Sequence, residues 1–520
     1  MKTNQKVKAN INKNKKIIIL VTVLSLAVLS TILLIWKPWK ISNNKDTVNI
    51  AMPSDIKGFD VCSSAHTNSA YSHHTFSIMH DTLLYKDQNG TIHPRLADLI
   101  EEKNKELTFK IKDNILFHNG NRLTTDDVIF TFERGTNKKH PQFLEIEKID
   151  KIDDKNFKVT LKTNPLWKKF VFYRFFNVLN KEAVEKNEKE GLKIGAGPYK
   201  LIKYEPDHKL NFELFDNYYN KERIKNSPKQ INLKISKDDD TNLQEIQNGA
   251  LDGCLTYPDI KINDLKKNLG DQVKIVENNS ITSSYIYINK QKIIDKDTRK
   301  AIYQALNLEK IKNDLELPVK ILNSYLPNEL KGNNPKLGRY QTDIVASKKY
   351  VEKLTLENKK LNIGISSGRD YTLQNKIIEQ LKNVGFDATL SPVEFNTLLT
   401  DSLKDDSPYH MIFLKENHEM EYGHKSLMDY FLTNNNQTNL CHINEEDKTD
   451  IEDKLMKAIE IDDENKYIKL IQEVSRYIHD QVYVIPLYKI PSYVVTSPKI
   501  TQGFETDDFS NFEFTNIRKQ

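Results

Sequence analysis

The first forty residues constrain this chain more than any other segment, because they decide in which compartment the rest of it folds. Six lysines within positions 2–16 precede an uncharged run from Ile17 to Ile35. As a helix this run would span roughly 28 Å, which is enough to cross the hydrocarbon core of a bilayer. Lysines stay on the cytoplasmic side of such a segment, so the chain after Lys40 is predicted to lie outside the cytoplasm.

The same residues predict an uncleaved transmembrane anchor over residues 17–36, behind a cytoplasmic basic tail at 1–16. A secretory signal has a shorter apolar region that ends in small residues, whereas this run ends in Trp36 and is followed by Pro38. The predicted localisation is the cell membrane, single-pass, with the large C-terminal part outside the cytoplasm. A signal peptide cleaved near Ser42–Asn44 is the alternative.

The basic isoelectric point of the chain comes from this leader. Residues 1–40 hold eight lysines and no acid, and the 69 basic and 72 acidic residues of the remainder leave a net charge of −3. Both signs are interspersed there, whereas a nucleic-acid-binding protein concentrates its basic residues on one face. Nucleic acid is therefore not an expected partner.

The three cysteines are Cys62, Cys254 and Cys441, and they form no C-x-x-C pair. Their spacing does not suit a structural zinc site, and the odd count argues against a disulfide framework. We expect buried or half-exposed thiols and no cofactor. Neither G-x-S-x-G nor H-E-x-x-H occurs in the sequence, so the chain is not predicted to be an enzyme.

Strand and helix patterns alternate along the folded part, which predicts α/β lobes with largely parallel sheets. Strict alternation predicts a strand at Leu107–Lys112, and Thr124 or Thr125 before two aspartates predicts a helix start. Further strands are predicted at 48–52, 157–162, 285–289, 361–365, 388–390, 411–414 and 482–487. Further helices are predicted at 243–251, 297–306, 372–384, 396–403 and 452–479, the last of them with one break.

Short motifs follow one another in a fixed order from Val48 to the C-terminus. They are Gly58-Phe59-Asp60 and the segments 81–85, 89–97, 107–120, 123–132, 195–199, 247–252 and 297–302. In this order they resemble the extracytoplasmic solute-binding proteins of ABC importers, family 5, the oligopeptide-, dipeptide- and nickel-binding group. The motifs identify a scaffold, and a scaffold does not name its solute.

The resemblance implies an α/β, two-lobed periplasmic-binding-protein-like fold of class II, in its large three-domain variant, here preceded by the transmembrane helix. Lobe one is expected at 47–280 with an inserted subdomain at about 66–194, lobe two at 281–486, and a return to lobe one at 487–520. The implied function is capture of a short peptide between hinged lobes and its delivery to an ABC permease with ATPase subunits. A monomer is expected.

The resemblance also suggests which residues hold a peptide. In dipeptide-binding members an arginine two residues before a tyrosine meets the ligand carboxylate, and Arg369 and Tyr371 stand at nearly that offset ahead of a predicted helix. An aspartate that meets the ligand amine corresponds to Glu419. The flanking tryptophan of that motif reads Glu416, and its Asp-Pro reads Tyr422-Gly423, so the solute need not be that of the dipeptide-binding members.

Histidines cluster in two regions and suggest an alternative ligand. His66, His73, His74 and His80 lie in the segment expected to enter the cleft from lobe one, and His410, His418 and His424 lie in lobe two. Thr67, Tyr71, His74 and His418 are also expected to contact the ligand of the leading interpretation. Converging histidines suit a transition metal or its chelate. Nickel-binding relatives use a histidine in this lobe-two region. His74 and His418 are therefore the candidate metal ligands, with the reservation that neighbouring His73 and His74 would point to opposite faces if they lay on a strand.

Overall fold

The computed structural model describes residues 45–520 except 68, 88–89, 258–260, 279, 281, 368–369, 419–420, 433–438 and 507–511. The predicted basic tail at 1–16 and the predicted transmembrane anchor at 17–36 lie outside the described residues. Within the described ranges no helix has both the length and the apolar character needed to cross a membrane.

The strands, numbered along the chain, belong to two large sheets, one smaller sheet and two short ribbons. They are β1 Thr47–Met52, β2 Leu84–Lys86, β3 Ile92–Pro94, β4 Ala97–Lys103, β5 Glu106–Ile111, β6 Ile146–Lys151, β7 Asn156–Leu161, β8 Tyr199–Glu205, β9 Lys209–Leu214, β10 Gln230–Ile235, β11 Gly253–Cys254, β12 Lys274–Asn278, β13 Thr282–Ile288, β14 Lys320–Ile321, β15 Lys360–Ser366, β16 Asp387–Val393, β17 Met411–Asn417, β18 Val484–Lys489, β19 Ser492–Thr496, β20 Ile500–Gln502 and β21 Arg518–Lys519.

The helices pack on the faces of these sheets. They are Ser64–Thr67, Ala70–Met79, Thr125–Asn137, Phe170–Arg174, Lys181–Lys186, Glu188–Gly191, Lys221–Ile224, Asp239–Asn248, Ile262–Leu269, Lys296–Gln304, Leu308–Asp314, Ile344–Val351, Leu356–Lys359, Thr372–Asn383, Phe395–Ser402, His424–Phe431, Glu445–Glu460 and Glu464–Asp480, with short 3-10 turns at Phe143–Glu145, Gly270–Gln272 and Phe514–Asn516.

Two lobes are built around the two large sheets. Lobe one holds a seven-stranded sheet in the order β12-β19-β11-β1-β10-β9-β8, and lobe two a six-stranded sheet in the order β14-β18-β13-β17-β15-β16. A four-stranded sheet, β4-β5-β7-β6, is built from the chain between β1 and β8. The α/β, two-lobed architecture expected from the sequence is present.

The expectation of largely parallel sheets is wrong. Parallel pairing joins β1 to β10 and β11 in lobe one, and β15 to β16 and β17 in lobe two. The remaining pairs of the large sheets are antiparallel, and so are all pairs of the four-stranded sheet. Strands that pass from one lobe to the other return beside each other, and such neighbours must run in opposite directions.

The chain crosses between the lobes twice, at adjacent places. β12 of lobe one leads into β13 of lobe two, and β18 leads back into β19. Asn278 pairs with Ser492 on one side of the crossing, and Ser283 pairs with Lys489 on the other. The backbone N–H of Ile490 donates to the carbonyl of Thr282 at 3.0 Å. The two crossings therefore lie side by side, with an antiparallel pair of strands on each side of them, and together form the hinge.

The sheet of lobe two is covered on both faces, as its apolar strands require. Tyr285 and Tyr287 of β13 face one core, with the helices Glu445–Glu460 and Glu464–Asp480. Ile286 and Ile288 face the opposite core, with the helix Thr372–Asn383. Alternate side chains of one strand thus supply both cores, which explains why this strand carries no exposed face.

Local sequence signals set several element boundaries. The predicted strand at Leu107–Lys112 is confirmed at Glu106–Ile111. The predicted helix start is confirmed too, because Thr124 caps the helix Thr125–Asn137 in a capping box with Asp127. The break predicted within the helix at 452–479 is confirmed, because two helices lie there, Glu445–Glu460 and Glu464–Asp480, and Asp463 caps the second.

The glycines of the segment 195–199 are required by close packing. The backbone N–H of Gly197 donates to the carbonyl of Met79 at 2.9 Å, and the carbonyl of Gly195 accepts from His118 N at 2.9 Å. A Cβ added to Gly195 would overlap the carbonyl oxygen of Met79. This segment therefore fits against the end of the helix Ala70–Met79 only without a side chain.

We predict that Gly195→Ala destabilises the fold by about 1–3 kcal/mol, because the added methyl group meets backbone that cannot move aside. The measurement is urea denaturation of residues 45–520. Gly338→Ala is the matched control, since a Cβ at Gly338 meets no atom within 4 Å. Equal stability of the two variants would contradict this account of the segment.

Candidate functional site

The carboxyl ends of the parallel strands in both lobes face the hinge. β1, β10 and β11 run parallel in lobe one, and Tyr257, just beyond β11, bridges to Tyr493 beside the crossing. In lobe two, Asn417 at the end of β17 pairs with Thr282, where β13 begins directly after the crossing. Ligands of open α/β sheets bind outside the carboxyl ends of the strands. The candidate site is therefore the cleft between these two edges.

The lobe-two residues expected to bind a peptide follow the ends of two neighbouring strands. Arg369 comes three residues after β15, and Glu419 comes two residues after β17. β15 and β17 are parallel neighbours, so both loops leave the same edge of the sheet. Arg369 and Glu419 themselves lie outside the described residues.

Tyr371 is described and lies at the start of the helix Thr372–Asn383. It is half-buried, and its hydroxyl donates to the carbonyl of Ser366 at 3.3 Å. Asp370, which is exposed, accepts from the backbone N–H of Thr372 at 2.8 Å and so forms a turn directly before the helix. These bonds tie the loop after β15 to the first turn of the helix.

His418 is buried rather than available to a ligand. Its Nε2 lies 3.1 Å from the hydroxyl of Tyr285, and its Nδ1 lies 2.7 Å from the hydroxyl of Ser426. The Tyr285 hydroxyl already donates to the carbonyl of Tyr325, so the Nε2–H donates to Tyr285 and Nδ1 accepts from Ser426. Burial lowers the pKa of His418 to about 3, which keeps the ring neutral.

Of the lobe-one residues expected to contact the ligand, Thr67 lies in the core and Tyr71 lies at the edge of the cleft. Thr67 is buried, and its hydroxyl lies 3.0 Å from Nε2 of His140. Tyr71 is half-buried, and burial together with the nearby Asp239 raises its pKa to about 12. Because Asp239 begins the helix that follows β10, Tyr71 lies at the carboxyl edge of the lobe-one sheet.

His74 lies in the core. It is on the helix Ala70–Met79, not on a strand, so it and His73 do not point to opposite faces of a sheet. The ring packs edge-on against Phe512, with 4.9 Å between centroids, and burial lowers its pKa to about 3. Among the described residues no three His, Cys, Asp or Glu side chains are placed to hold a metal ion.

A cavity of about 630 Å³ lies beside the helix Ala70–Met79. Its wall carries charges of both signs, including Lys86, Arg174 and Glu505. Glu513 at its floor bonds to Arg223 at 2.8 Å, and although burial opposes ionisation, Arg223 and Arg95 lower the pKa of Glu513 to about 2. The wall of this cavity is therefore polar, and Glu513 in it is ion-paired with Arg223.

A second cavity, of about 350 Å³, lies in lobe two at the end of β15. Its floor is apolar and buried, and its wall includes the first turn of the helix Thr372–Asn383. Asp370, next to the predicted ligand residues Arg369 and Tyr371, is part of its rim.

Two contacts close the lobes on each other away from the hinge. Lys86, which lines the first cavity, forms an ion pair with Glu421 of lobe two. Trp167 stacks on His424 with 3.9 Å between ring centroids and lies edge-on to Tyr467 at 6.1 Å. The loop that follows β17 therefore reaches across to lobe one.

Sequence reasoning missed Trp167, Lys86 and the burial of Glu416. Glu416 is 1% exposed, burial raises its pKa well above the ordinary value, and it accepts a hydrogen bond from Tyr325 at 2.9 Å. The sequence of β17 contains a signal for this, because alternate residues of a strand share a face and Glu416 shares the face of Leu414. The contacts of Trp167 and Lys86 carry no local signal.

We predict that acid destabilises the fold through its buried histidines. The ordinary pKa of histidine is near 6.5, whereas burial lowers the pKa of both His418 and His424 to about 3. Between these values the unfolded chain binds protons that the folded chain does not, so stability falls as the pH drops. The expected slope is about 1.4 kcal/mol per pH unit for each such histidine.

Urea denaturation of residues 45–520 between pH 7.5 and 4.5 measures this slope. His418→Gln removes one titrating group and should make the loss of stability with falling pH shallower. His208→Gln is the control, because the His208 side chain is 62% exposed. If His418→Gln and the unsubstituted protein have the same slope, the buried histidine is not the cause.

Comparison with known proteins gives a consistent result. The family model "Bacterial extracellular solute-binding proteins, family 5 Middle" matches residues 91–439. Dipeptide-binding protein DppE of Bacillus subtilis is 23% identical over 440 residues, which cover 75% of this chain and 77% of DppE. Nickel-binding protein NikA of Staphylococcus aureus is 24% identical over 237 residues, which cover 44% of this chain and only 46% of NikA.

A solved structure has the same fold. The ABC transporter substrate-binding protein CtaP of Listeria monocytogenes superposes with a TM-score of 0.77 at 20% identity, over 91% of this chain and 99% of CtaP. The extracellular family also corrects the predicted localisation. The single-pass membrane assignment is replaced by an extracellular one.

Proposed function

This chain belongs to the bacterial extracellular solute-binding proteins, family 5, and from that premise we propose that it captures short peptides between its two lobes and delivers them to an ABC permease. The observation that carries the proposal is the cleft itself. The carboxyl ends of parallel strands from both lobes face each other there, beside the two adjacent chain crossings.

The choice of a peptide rests on the lobe-two edge. Arg369 and Glu419 follow neighbouring parallel strands, so a cation and an anion leave one edge of the sheet from adjacent loops. A free peptide carries a carboxylate and an ammonium group that such a pair would hold at opposite ends. Arginine suits the carboxylate because its planar fork makes two parallel hydrogen bonds. The name of DppE agrees with a peptide ligand.

Binding of nickel or another metal chelate is the alternative, in keeping with the name of NikA. The surroundings of the two candidate metal ligands, His74 and His418, do not favour metal binding. His74 is enclosed in the lobe-one core, and both ring nitrogens of His418 are engaged in hydrogen bonds. A metal could use His418 only if the bonds to Tyr285 or Ser426 were broken.

The mechanism we propose is binding coupled to hinge closure, without making or breaking a covalent bond. Ligand contacts made only when the lobes are closed would shift the population towards the closed form. The permease with its ATPase subunits would recognise that form; the name of CtaP, an ABC transporter substrate-binding protein, agrees with a partner of this kind. We also propose that the chain has the class II, three-domain division. Lobe one is at 47–280 with a subdomain at about 66–194, lobe two is at 281–486, and the chain returns to lobe one at 487–520.

We predict that short peptides raise the melting temperature of residues 45–520, because a ligand that binds only the folded state stabilises it. A panel of di- to pentapeptides is compared with nickel alone and nickel with free histidine, by thermal shift and then calorimetry. Trp167, the only tryptophan in this segment, reports closure by its emission. Stabilisation by nickel with histidine and by no peptide would overturn the peptide assignment.

The charged pair is tested by matched ligands. Glu419→Gln should weaken binding of a peptide with a free amine by at least about tenfold and leave its N-acetylated form unaffected, because the lost interaction is with the ammonium group. Arg369→Gln should weaken binding of a peptide with a free carboxyl end by a similar factor and leave the affinity of the amidated peptide unaffected. Asp387→Asn is the control for loss of a charge, because Asp387 is exposed at the start of β16, away from the edge that carries Arg369 and Glu419. If free and blocked peptides lose affinity equally, the two residues do not bind the peptide ends.

A further inference from the structure

The lobe-two cavity has an apolar floor and a charged rim. The floor is formed by Val319, Ile365, Phe413 and Tyr488, each at most 5% exposed. Asp370 and Lys415 line it as well and are exposed at its mouth. A concave apolar space of about 350 Å³ with polar groups at its entrance is the usual form of a subsite for an apolar group of a ligand.

The cavity also lies at the seam between the lobes. One wall is the segment 317–319, and this segment contacts lobe one, where the hydroxyl of Tyr493 donates to the carbonyl of Pro318 at 3.2 Å. Ile490, in the return crossing of the hinge, lines the cavity too. A group that enters it from the cleft is therefore held next to the elements that move on closure.

We propose that this cavity receives a bulky apolar side chain near the carboxyl end of the bound peptide, so that the protein prefers peptides ending in leucine, isoleucine, methionine or phenylalanine. The proposal rests on the peptide-binding function above. The carboxyl end is assigned because Asp370 on the rim adjoins Arg369, the residue proposed for the ligand carboxylate. The apolar floor would contact the side chain of the last peptide residue, and the carboxylate of the peptide would lie at the charged mouth.

Calorimetry with Ala-Ala-Leu, Leu-Ala-Ala and Ala-Ala-Ala tests the proposal. Ala-Ala-Leu should bind at least about tenfold more tightly than Ala-Ala-Ala, and Leu-Ala-Ala should gain much less. Phe395 lines the cavity and is 42% exposed, so Phe395→Ala removes a wall without emptying the core. In that variant the preference for Ala-Ala-Leu should fall to a few-fold.

Leu403→Ala is the matched control, because Leu403 follows the same helix, is 37% exposed and does not line the cavity. Ser284→Leu, which narrows the cavity from β13, should also reduce the preference while leaving Ala-Ala-Ala binding in place. Equal affinities of the three peptides, or a preference unchanged in both cavity variants, overturn the subsite. Failure of every peptide to bind overturns the proposed function instead, so the two failures are distinguishable.

Discussion

The hinge formed by the two adjacent chain crossings is the constraint on which the rest of this structure depends. Because β12 pairs with β19 and β13 pairs with β18, the two connections are held side by side at the point where the lobes meet. Asn278, at the end of β12, reinforces this point by donating to the carbonyl of Phe504 at 2.9 Å and accepting from Thr506 N at 2.9 Å. A paired ribbon of this kind bends and twists more readily than it slides, so the lobes can close without changing register.

The lobe-two edge of the cleft depends in turn on a buried polar network. Glu416, Tyr325, Tyr285, His418 and Ser426 are connected by hydrogen bonds beneath the loop that carries Glu419. Burial keeps His418 neutral and raises the pKa of Glu416. Such a network holds its members in one arrangement only while every bond is made.

Much of the fold could be predicted from local sequence. The strand at Glu106–Ile111 follows from strict alternation, and the helix at Thr125–Asn137 from its capping residues. The mixed direction of the sheets could not be predicted, because it depends on how the chain returns between the lobes. Pairing between strands distant in sequence has no local signal.

The candidate site could be predicted only as a set of loops. β15 and β17 are parallel neighbours and end at one edge of the sheet, while the contacts of Arg369 and Glu419 stay a prediction. His74 and His418 were chosen by residue type, but burial depends on what covers a side chain and cannot be read from its neighbours in sequence. The ion pair of Lys86 with Glu421 joins residues 335 positions apart and has no counterpart in local pattern.

The position of lobe two in the chain has an evolutionary consequence. Its sheet is built from one uninterrupted stretch, which leaves and re-enters lobe one at residues joined by the hydrogen bond from Ile490 to Thr282. A segment whose two ends lie side by side can be exchanged between related proteins as one unit, because it is joined to the rest of the chain at only two places. Recombination at these two places would transfer the lobe-two ligand residues as one unit, together with the surface that packs on Trp167 of lobe one.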